Sequence, residues 1–403
     1  MTPLGGAGGA TLVLAPSSTD SGGGISEATV VLGLPLSRRA ALAASRAGFD
    51  RVCRVGEADA DAAGSVRAGR IVLLSDRAVL TTKILRELRE VRIAPDRLHR
   101  LGDGAIVDSS DPAPLMRAAA GGRDLESVVS AWRGLLGPGD AEVMRPPFEP
   151  SSTKQIPAAE TILLRDLVKP ADGPMTRLVS RKISLAVTRR VAATRLRPNA
   201  MTVLCVALGF AAAWSFLSPE PARQAIGGLL FLLHSILDGC DGELARLKFQ
   251  ESRLGGVLDF WGDNLVHVAV FSAFGIAWAD AIDQDWPLAL GGLAVGGTLL
   301  SAGFLYVYAM RPRSDSGPLL TTVSPSRRSR LSKALDGTSN RDFIYLVALL
   351  GLFGKAYWFV GAAAVGTPMF FLGLLIMAHN GREPGGPAPM LERGTAASGE
   401  PSR

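Results

Sequence analysis

The sequence predicts a multi-domain chain: a cytosolic α/β domain followed by an all-α bundle of six transmembrane helices. Three observations carry this reading. Short β-branched and leucine-rich runs alternate with helical patterns through residues 1–133. Long apolar runs follow Pro198 in a chain that is 47% hydrophobic and only 20% charged, with positive mean hydropathy. Arginine-rich stretches flank those runs, as they do on the cytoplasmic side of membrane proteins.

Taken in order, the glycine-rich residues 1–10 predict a flexible tail; Gly5–Gly9 precede a strand and so do not match a phosphate loop, which follows one. Strands are expected at Ala10–Ala15, Arg51–Val55 and Arg70–Leu74, with Val30–Leu32 continuing the same sheet. Helices are expected at Ser37–Ala47, stopped by Gly48, and at Thr81–Val91. The alternation predicts a largely parallel sheet. Asp76, just past a strand, reads as a metal ligand or as a strand-end cap. His99 lies among Asp and Arg and reads as a solvated histidine.

Residues 134–157 read as a linker, because Gly137-Pro-Gly139 and Pro146-Pro-Phe-Glu-Pro150 resist packing. Residues 158–197 alternate basic and apolar side chains. A helix from Pro174 to about Leu196 is expected there, lying on the cytoplasmic leaflet. Residues 198–380 form the membrane domain and residues 381–403 a disordered tail. The spans are expected at Met201–Leu217, Ala222–Leu247, Gly255–Ala279, Trp286–Met310, Asp342–Phe353 and Tyr357–His379, the fifth being short. The loop from Arg311 to Arg341 is arginine-rich, whereas the turns at Pro219 and Asp280–Asp285 are not. The positive-inside rule therefore places the N-terminal domain, the aspartate motif and both termini in the cytoplasm, and the expected location is a bacterial or archaeal cell membrane.

The net charge of +6 is modest and no basic stripe carries interleaved aromatics, which argues against nucleic acid as a partner. Cys53, Cys205 and Cys240 are too scattered for a disulfide framework. The first basic residue is Arg38, so no cleaved signal peptide is expected.

The chain is organised around the stretch from Asp238 to Asp263. Asp238 and Asp241 are three residues apart, and Asp259 and Asp263 are four apart, so on helices each pair shares a face. Two facing helices would bring four carboxylates to one point. Anions so close repel unless a divalent cation with a taste for hard oxygen ligands, Mg²⁺ or Mn²⁺, joins them. Paired metals suit displacement at phosphorus. Pro198-Asn199-Ala-Met-Thr202 opens the first span, with Asn199 and Thr202 at a helix N-terminus that favours anions.

The stretch Asp238-x-x-Asp241-Gly242-x-x-Ala245-Arg246, eight residues, Gly255-x-x-x-Asp259-x-x-x-Asp263 resembles the signature of the CDP-alcohol phosphotransferases, with every fixed position present. The resemblance implies transfer of a substituted phosphate from a CDP-alcohol donor to a hydroxyl acceptor, with release of CMP. It implies that Asp238, Asp241, Asp259 and Asp263 hold two divalent ions and that Asp263 is the general base. Gly242 and Ala245 would leave room for the nucleotide, Arg246 would offer a cation to phosphate, and Gly255 with Gly256 would let helices approach. The Pro-Asn-x-x-Thr element would border the CDP site. Arg311, Arg313 and Arg341 are candidates for the acceptor phosphate or for anchoring at the membrane surface. His234 and His267, one turn outside the aspartates, read as proton relays or as partners of polar neighbours; His379 reads as an interfacial cap.

Residues 10–130 resemble a sugar-nucleotidyltransferase domain of the CDP-inositol-forming kind, through Leu12-Val-Leu-Ala15, Gly33-Leu-Pro-Leu-Ser-Arg38, Ala47-Gly-Phe-Asp-Arg-Val52 and Ile71-Val-Leu-Leu-Ser-Asp76. Pro16–Gly24 holds no Arg or Lys, and no lysine precedes Leu34-Pro35, so a degenerate domain is expected. Leu167-Val-Lys-Pro-Ala-Asp-Gly173 resembles the segment before the membrane domain in inositol-phosphate-handling members. The architecture is that of inositol-phosphate cytidylyltransferase/di-myo-inositol-phosphate-phosphate synthase proteins. It favours inositol phosphate as acceptor over a phospholipid route from CDP-diacylglycerol, with membrane lipid as surroundings and a homodimer as the assembly. The reading from another class is a scaffold or transporter reusing the fold, which has no need of four intramembrane carboxylates.

Overall fold

The structure is a computed structural model and describes residues 9–17, 24–55, 66–139, 146–168, 180–307 and 343–380. The chain divides into two compact units, residues 1–207 with 233–260 and residues 208–232 with 261–403.

The first unit is built on a six-stranded sheet of β1 (Gly9–Ala15), β4 (Arg51–Arg54), β5 (Gly69–Ser75), β6 (Arg97–Leu101), β7 (Gly104–Ser109) and β8 (Gly137–Pro138), in the order β4-β1-β5-β7-β6-β8. Successive side chains of β1 and β5 point to opposite faces. Leu12, Leu14, Val72 and Leu74 pack with α1 (Leu36–Ala47) and α2 (Thr82–Glu90). Val13, Ala15, Ile71 and Leu73 pack on the other face with α3 (Ala113–Gly121), α4 (Leu125–Leu135) and the buried Trp132. Gly48 ends α1 at φ 84°, a left-handed value that glycine adopts without strain.

Three expectations are corrected here. The sheet is mixed: β1 pairs in parallel with β4 and β5, but β7 runs antiparallel to both β5 and β6. The tight return Gly102-Asp103 joins β6 to β7, and a turn that short can only produce antiparallel strands. Residues Val30–Leu32 do not extend this sheet. β2 (Val30–Val31) pairs with β3 (Leu34–Pro35) in a separate hairpin whose loop, Leu32 and Gly33, has positive φ at both positions. His99 is fully buried in β6, with Nε2 3.2 Å from the carbonyl oxygen of Ala94.

The described parts of residues 134–157 pack on the domain instead of running free. Gly137–Pro138 pairs with Arg97–Leu98, Val79 N–H donates to Phe148 O at 2.8 Å, and Ser75 Oγ donates to Glu149 at 2.7 Å. Beyond them come α5 (Ile156–Arg165) and α6 (Arg181–Ala192). α6 ends earlier than the expected Leu196, and the expected start at Pro174 lies outside the described residues. The proline at 198 and the polar Thr194-Arg195 turn stop it before the first span.

Among the described residues five helices are long and apolar enough to cross a membrane: α7 (Pro198–Phe216), α8 (Pro221–Lys248), α9 (Arg253–Ile282), α10 (Trp286–Leu305) and α12 (Phe359–Asn380, overlapping the apolar stretch Ala356–His379). α11 (Phe343–Leu352) has 10 residues, about 15 Å of helix and half of a bilayer core. The fifth expected span, Asp342–Phe353, already short in the sequence, is this short apolar helix, so six full spans are not found among the described residues. In the second unit close crossings use glycine: Gly275 meets Gly291, and Gly297 meets Thr367-Pro368. The ring of Phe216 packs edge to face with those of Phe231 and Phe274.

Candidate metal centre

The aspartates are delivered by two long helices, α8 and α9, whose apolar faces keep them in place and whose glycines thin the backbone near the carboxylates. Asp238 and Asp241 lie on α8 and are buried, each 6% exposed. Asp259 lies on α9, and Asp263 follows one turn later on the same continuous helix. One carboxylate oxygen from each of Asp238, Asp259 and Asp263 falls within 4.8 Å of the others. Three hard, anionic oxygens this close fit Mg²⁺ or Mn²⁺, which take carboxylate ligands and supply the missing positive charge.

Asp241 is held differently. It accepts a hydrogen bond from Thr202 Oγ1 and another from its neighbour's backbone, Gly242 N–H. It also meets the Asp259 carboxyl and the Arg246 guanidinium. The structure thus gathers three of the four carboxylates into one ligand set and ties the fourth to the first turn of α7. Thr202 is itself buried.

The glycines of the motif divide. A Cβ on Gly255 would lie 2.8 Å from Asn199 Oδ1, so this residue lets α9 start against the head of α7. A Cβ on Gly256 would meet nothing within 4 Å, and the expected close approach rests on Gly255 alone. A Cβ on Gly242 would lie 3.3 Å from Arg246 Nη1, so the space beside Gly242 is shared with that guanidinium. Ala245 is half-buried on the same stretch of α8.

His234 is buried with Nδ1 2.9 Å from Cys205 O, the polar-neighbour reading. His267 lies among the rings of Phe231, Phe271 and Phe343. Arg311, Arg313 and Arg341 lie outside the described residues, as do Lys169–Gly173.

Sequence reasoning missed Glu243. It occupies an unspecified position between Gly242 and Ala245, yet it is fully buried. Arg181 Nη1 donates to Oε1 at 2.5 Å, Ser184 Oγ to Oε1 at 2.8 Å and Thr188 Oγ1 to Oε2 at 2.7 Å. Its signal in the sequence was an acidic residue in an apolar helix with an arginine-bearing helix upstream.

Just past β5, Asp76 Oδ1 is buried without a hydrogen-bond partner. Burial pushes its carboxyl above the usual range, Arg77 pulls it back, and Glu27 and Glu149 push it up again. That environment suits neither reading made from the sequence fully: no cap is formed through Oδ1.

The stretch that carries the aspartates is similar to known proteins. Residues 195–324 match the family model described as CDP-alcohol phosphatidyltransferase. The chain is 39% identical over 134 residues to the "Bifunctional IPC transferase and DIPP synthase" of Thermococcus kodakarensis, covering 33% of this chain and 29% of that one. It is 33% identical over 282 residues to the protein of the same name from Rubrobacter xylanophilus, covering 67% of this chain and 57% of that one. The chain thus spans less than two thirds of the length of these curated relatives. A crystal structure of Mycobacterium tuberculosis phosphatidylinositol phosphate synthase with CDP-DAG bound aligns at 20% identity with a TM-score of 0.32, over 47% of this chain and 92% of that one. Over residues 195–324, which hold all four aspartates, the chain is similar to the CDP-alcohol phosphatidyltransferase family.

Proposed function

We propose that this protein is an integral-membrane transferase that moves a substituted phosphate group from a CDP-alcohol to a hydroxyl acceptor and releases CMP. The observation that carries the reading is the convergence of Asp238, Asp259 and Asp263 within 4.8 Å. Divalent ions bound there would offset the charge of the pyrophosphate and polarise the attacked phosphorus.

The chain's own residues do the rest. Asp238, Asp259 and Asp263 would hold the ions, with Asp241 beside them oriented by Thr202. Asp263, one turn along α9, takes the proton from the acceptor hydroxyl. The acceptor oxygen forms a bond to the phosphorus that carries the donor's alcohol group. The bond from that phosphorus to the bridging oxygen breaks, and CMP leaves with the electron pair. Arg246 and the α7 head at Asn199 and Thr202 face the nucleotide phosphates.

The acceptor proposed is inositol phosphate and the donor CDP-inositol, supported by the names of the two relatives and by the inositol-type resemblance of the N-terminal segments. A phosphomonoester acceptor brings about two negative charges, which the aspartates do not attract; Arg311, Arg313 and Arg341 are the proposed contacts. We place both termini in the cytoplasm and take the active form to be a homodimer. Measuring CMP release by the purified full chain, with CDP-inositol and CDP-diacylglycerol as donors and inositol phosphate, glycerol phosphate and serine as acceptors, tests the reading. Release that needs Mg²⁺ or Mn²⁺ and is greatest with CDP-inositol and inositol phosphate is expected. No release with any pair would overturn it.

A further inference from the structure

The face of α8 that looks away from the aspartates is held as deliberately as the metal face. Successive residues of an α-helix turn by 100°, which sets Glu243 roughly 170° around α8 from the mean direction of Asp238 and Asp241. Glu243 is therefore not a metal ligand, although it sits two residues from one. Its carboxylate is fully buried and takes three donors from α6, at Arg181, Ser184 and Thr188. Those residues are spaced i, i+3 and i+7, so they form one stripe on α6. Three donors on two oxygens leave one arrangement of α6 against α8: sliding or rotating either helix strands a buried carboxylate.

A second contact grips the same side one turn later. Leu244 and Leu247 belong to a buried cluster with Val31, Leu36, Val79 and Leu163. Arg39, only 2% exposed, donates to Leu247 O at 3.0 Å and to Val31 O at 2.8 Å. Leu247 O is one of the last carbonyls of α8, which lack partners within the helix, so a guanidinium there also satisfies the helix end.

We propose that Glu243 is a positioning residue for the metal centre: locked by α6, it sets the rotation of α8 that presents Asp238 and Asp241 to α9. The inference rests on the transferase reading for its consequence in turnover, but its first readout is metal binding alone. A residue that only stabilised the fold would alter melting without altering the metal affinity of the folded protein.

The test uses the purified full chain in nanodiscs, with direct Mn²⁺ binding measured by electron paramagnetic resonance and CMP release measured in parallel. Glu243→Ala is expected to weaken Mn²⁺ binding about tenfold or more and to lower kcat while leaving the KM for the CDP-alcohol nearly unchanged. Thr188→Val, nearly isosteric and missing one donor, should show a smaller loss in the same direction, and Thr188→Ser should restore both readouts. Arg181→Met combined with Glu243→Ala should lose no more Mn²⁺ affinity than Glu243→Ala alone, because both act through one contact. If Glu243→Ala does not fold, the Thr188 pair decides. Folded Glu243→Ala or Thr188→Val with unchanged Mn²⁺ affinity overturns the proposal. Weakened Mn²⁺ binding in a protein whose parent releases no CMP would support the positioning role and sink the transferase reading instead.

Discussion

Thr202 donates its hydroxyl to the Asp241 carboxylate, and this bond ties the first turn of α7 to the aspartate motif of α8. Asp241 is thereby oriented without joining the three-oxygen cluster of Asp238, Asp259 and Asp263. A hydrogen bond to a charged group contributes about 1.5–3 kcal/mol. Thr202→Val, which keeps the shape and removes the donor, is expected to lower kcat/KM for CMP release roughly 10–100-fold. Thr202→Ser should retain most activity. Equal rates in the Val and Ser variants would show that the bond does not matter to turnover.

Asp259→Asn keeps the side-chain shape and removes a metal-binding charge. CMP release should fall at least about 100-fold, since a metal in such a site contributes several kcal/mol to the barrier. The melting temperature should not fall, because the substitution relieves repulsion among clustered carboxylates. Full turnover in this variant would remove Asp259 from the metal set.

The two adjacent glycines of α9 make a paired test of packing. Gly255→Ala pushes a methyl against Asn199 Oδ1 and should cost about 1–3 kcal/mol in stability, with turnover reduced. Gly256→Ala meets open space and should be neutral or add up to about 1 kcal/mol through helix propensity. Thermal melts of the two variants side by side check this, and equal behaviour would contradict the packing described here.

The missing basic nucleotide loop, taken alone, makes residues 1–150 dispensable for catalysis, so that a chain beginning near Ala158 would still release CMP. The buried cluster argues otherwise. Removing residues 1–150 strips Val31, Leu36 and Val79 from Leu244 and Leu247, at roughly 1.5–3 kcal/mol for each leucine left exposed. It also removes Arg39 from the end of α8. The shortened protein should melt lower and elute as aggregate in size-exclusion chromatography, with CMP release reduced. A monodisperse, fully active shortened protein would restore the original expectation.

Asp76 supplies a pH test. Its carboxyl titrates above the usual 3.8 because the folded state disfavours the charged form. The folded state therefore binds the proton more tightly than the unfolded state, and stability falls as pH rises through that interval. Asp76→Asn should raise the melting temperature at pH 7 and lose that advantage near pH 3, where both proteins are neutral at this position. Stabilisation of the parent protein by Mg²⁺ that disappears in Asp76→Asn would instead return Asp76 to a metal-binding role.

The aspartate motif was legible in the sequence because its chemistry is local: carboxylates one turn apart on apolar helices share a face whatever surrounds them, and charge at that depth calls for a cation. The spans were legible for the same reason, since the bilayer sets their length and composition. The strands Ala10–Ala15, Arg51–Val55 and Arg70–Leu74 and both expected helices of the α/β domain could be read from periodicity alone. Periodicity says nothing of partners, however. Only the fold decided that β6 and β7 return antiparallel, that Val30–Leu32 leaves the sheet for its own hairpin, and that His99 is buried. Only the fold decided which carboxylates meet, because the separation of Asp238 from Asp263 depends on how two helices cross. Glu243 and Arg39 are the clearest cases. Each is an ordinary charged residue in the sequence; Glu243 acquires its role from partners 55 to 62 residues away and Arg39 from Leu247, 208 residues away, distances over which chain order carries no spatial information.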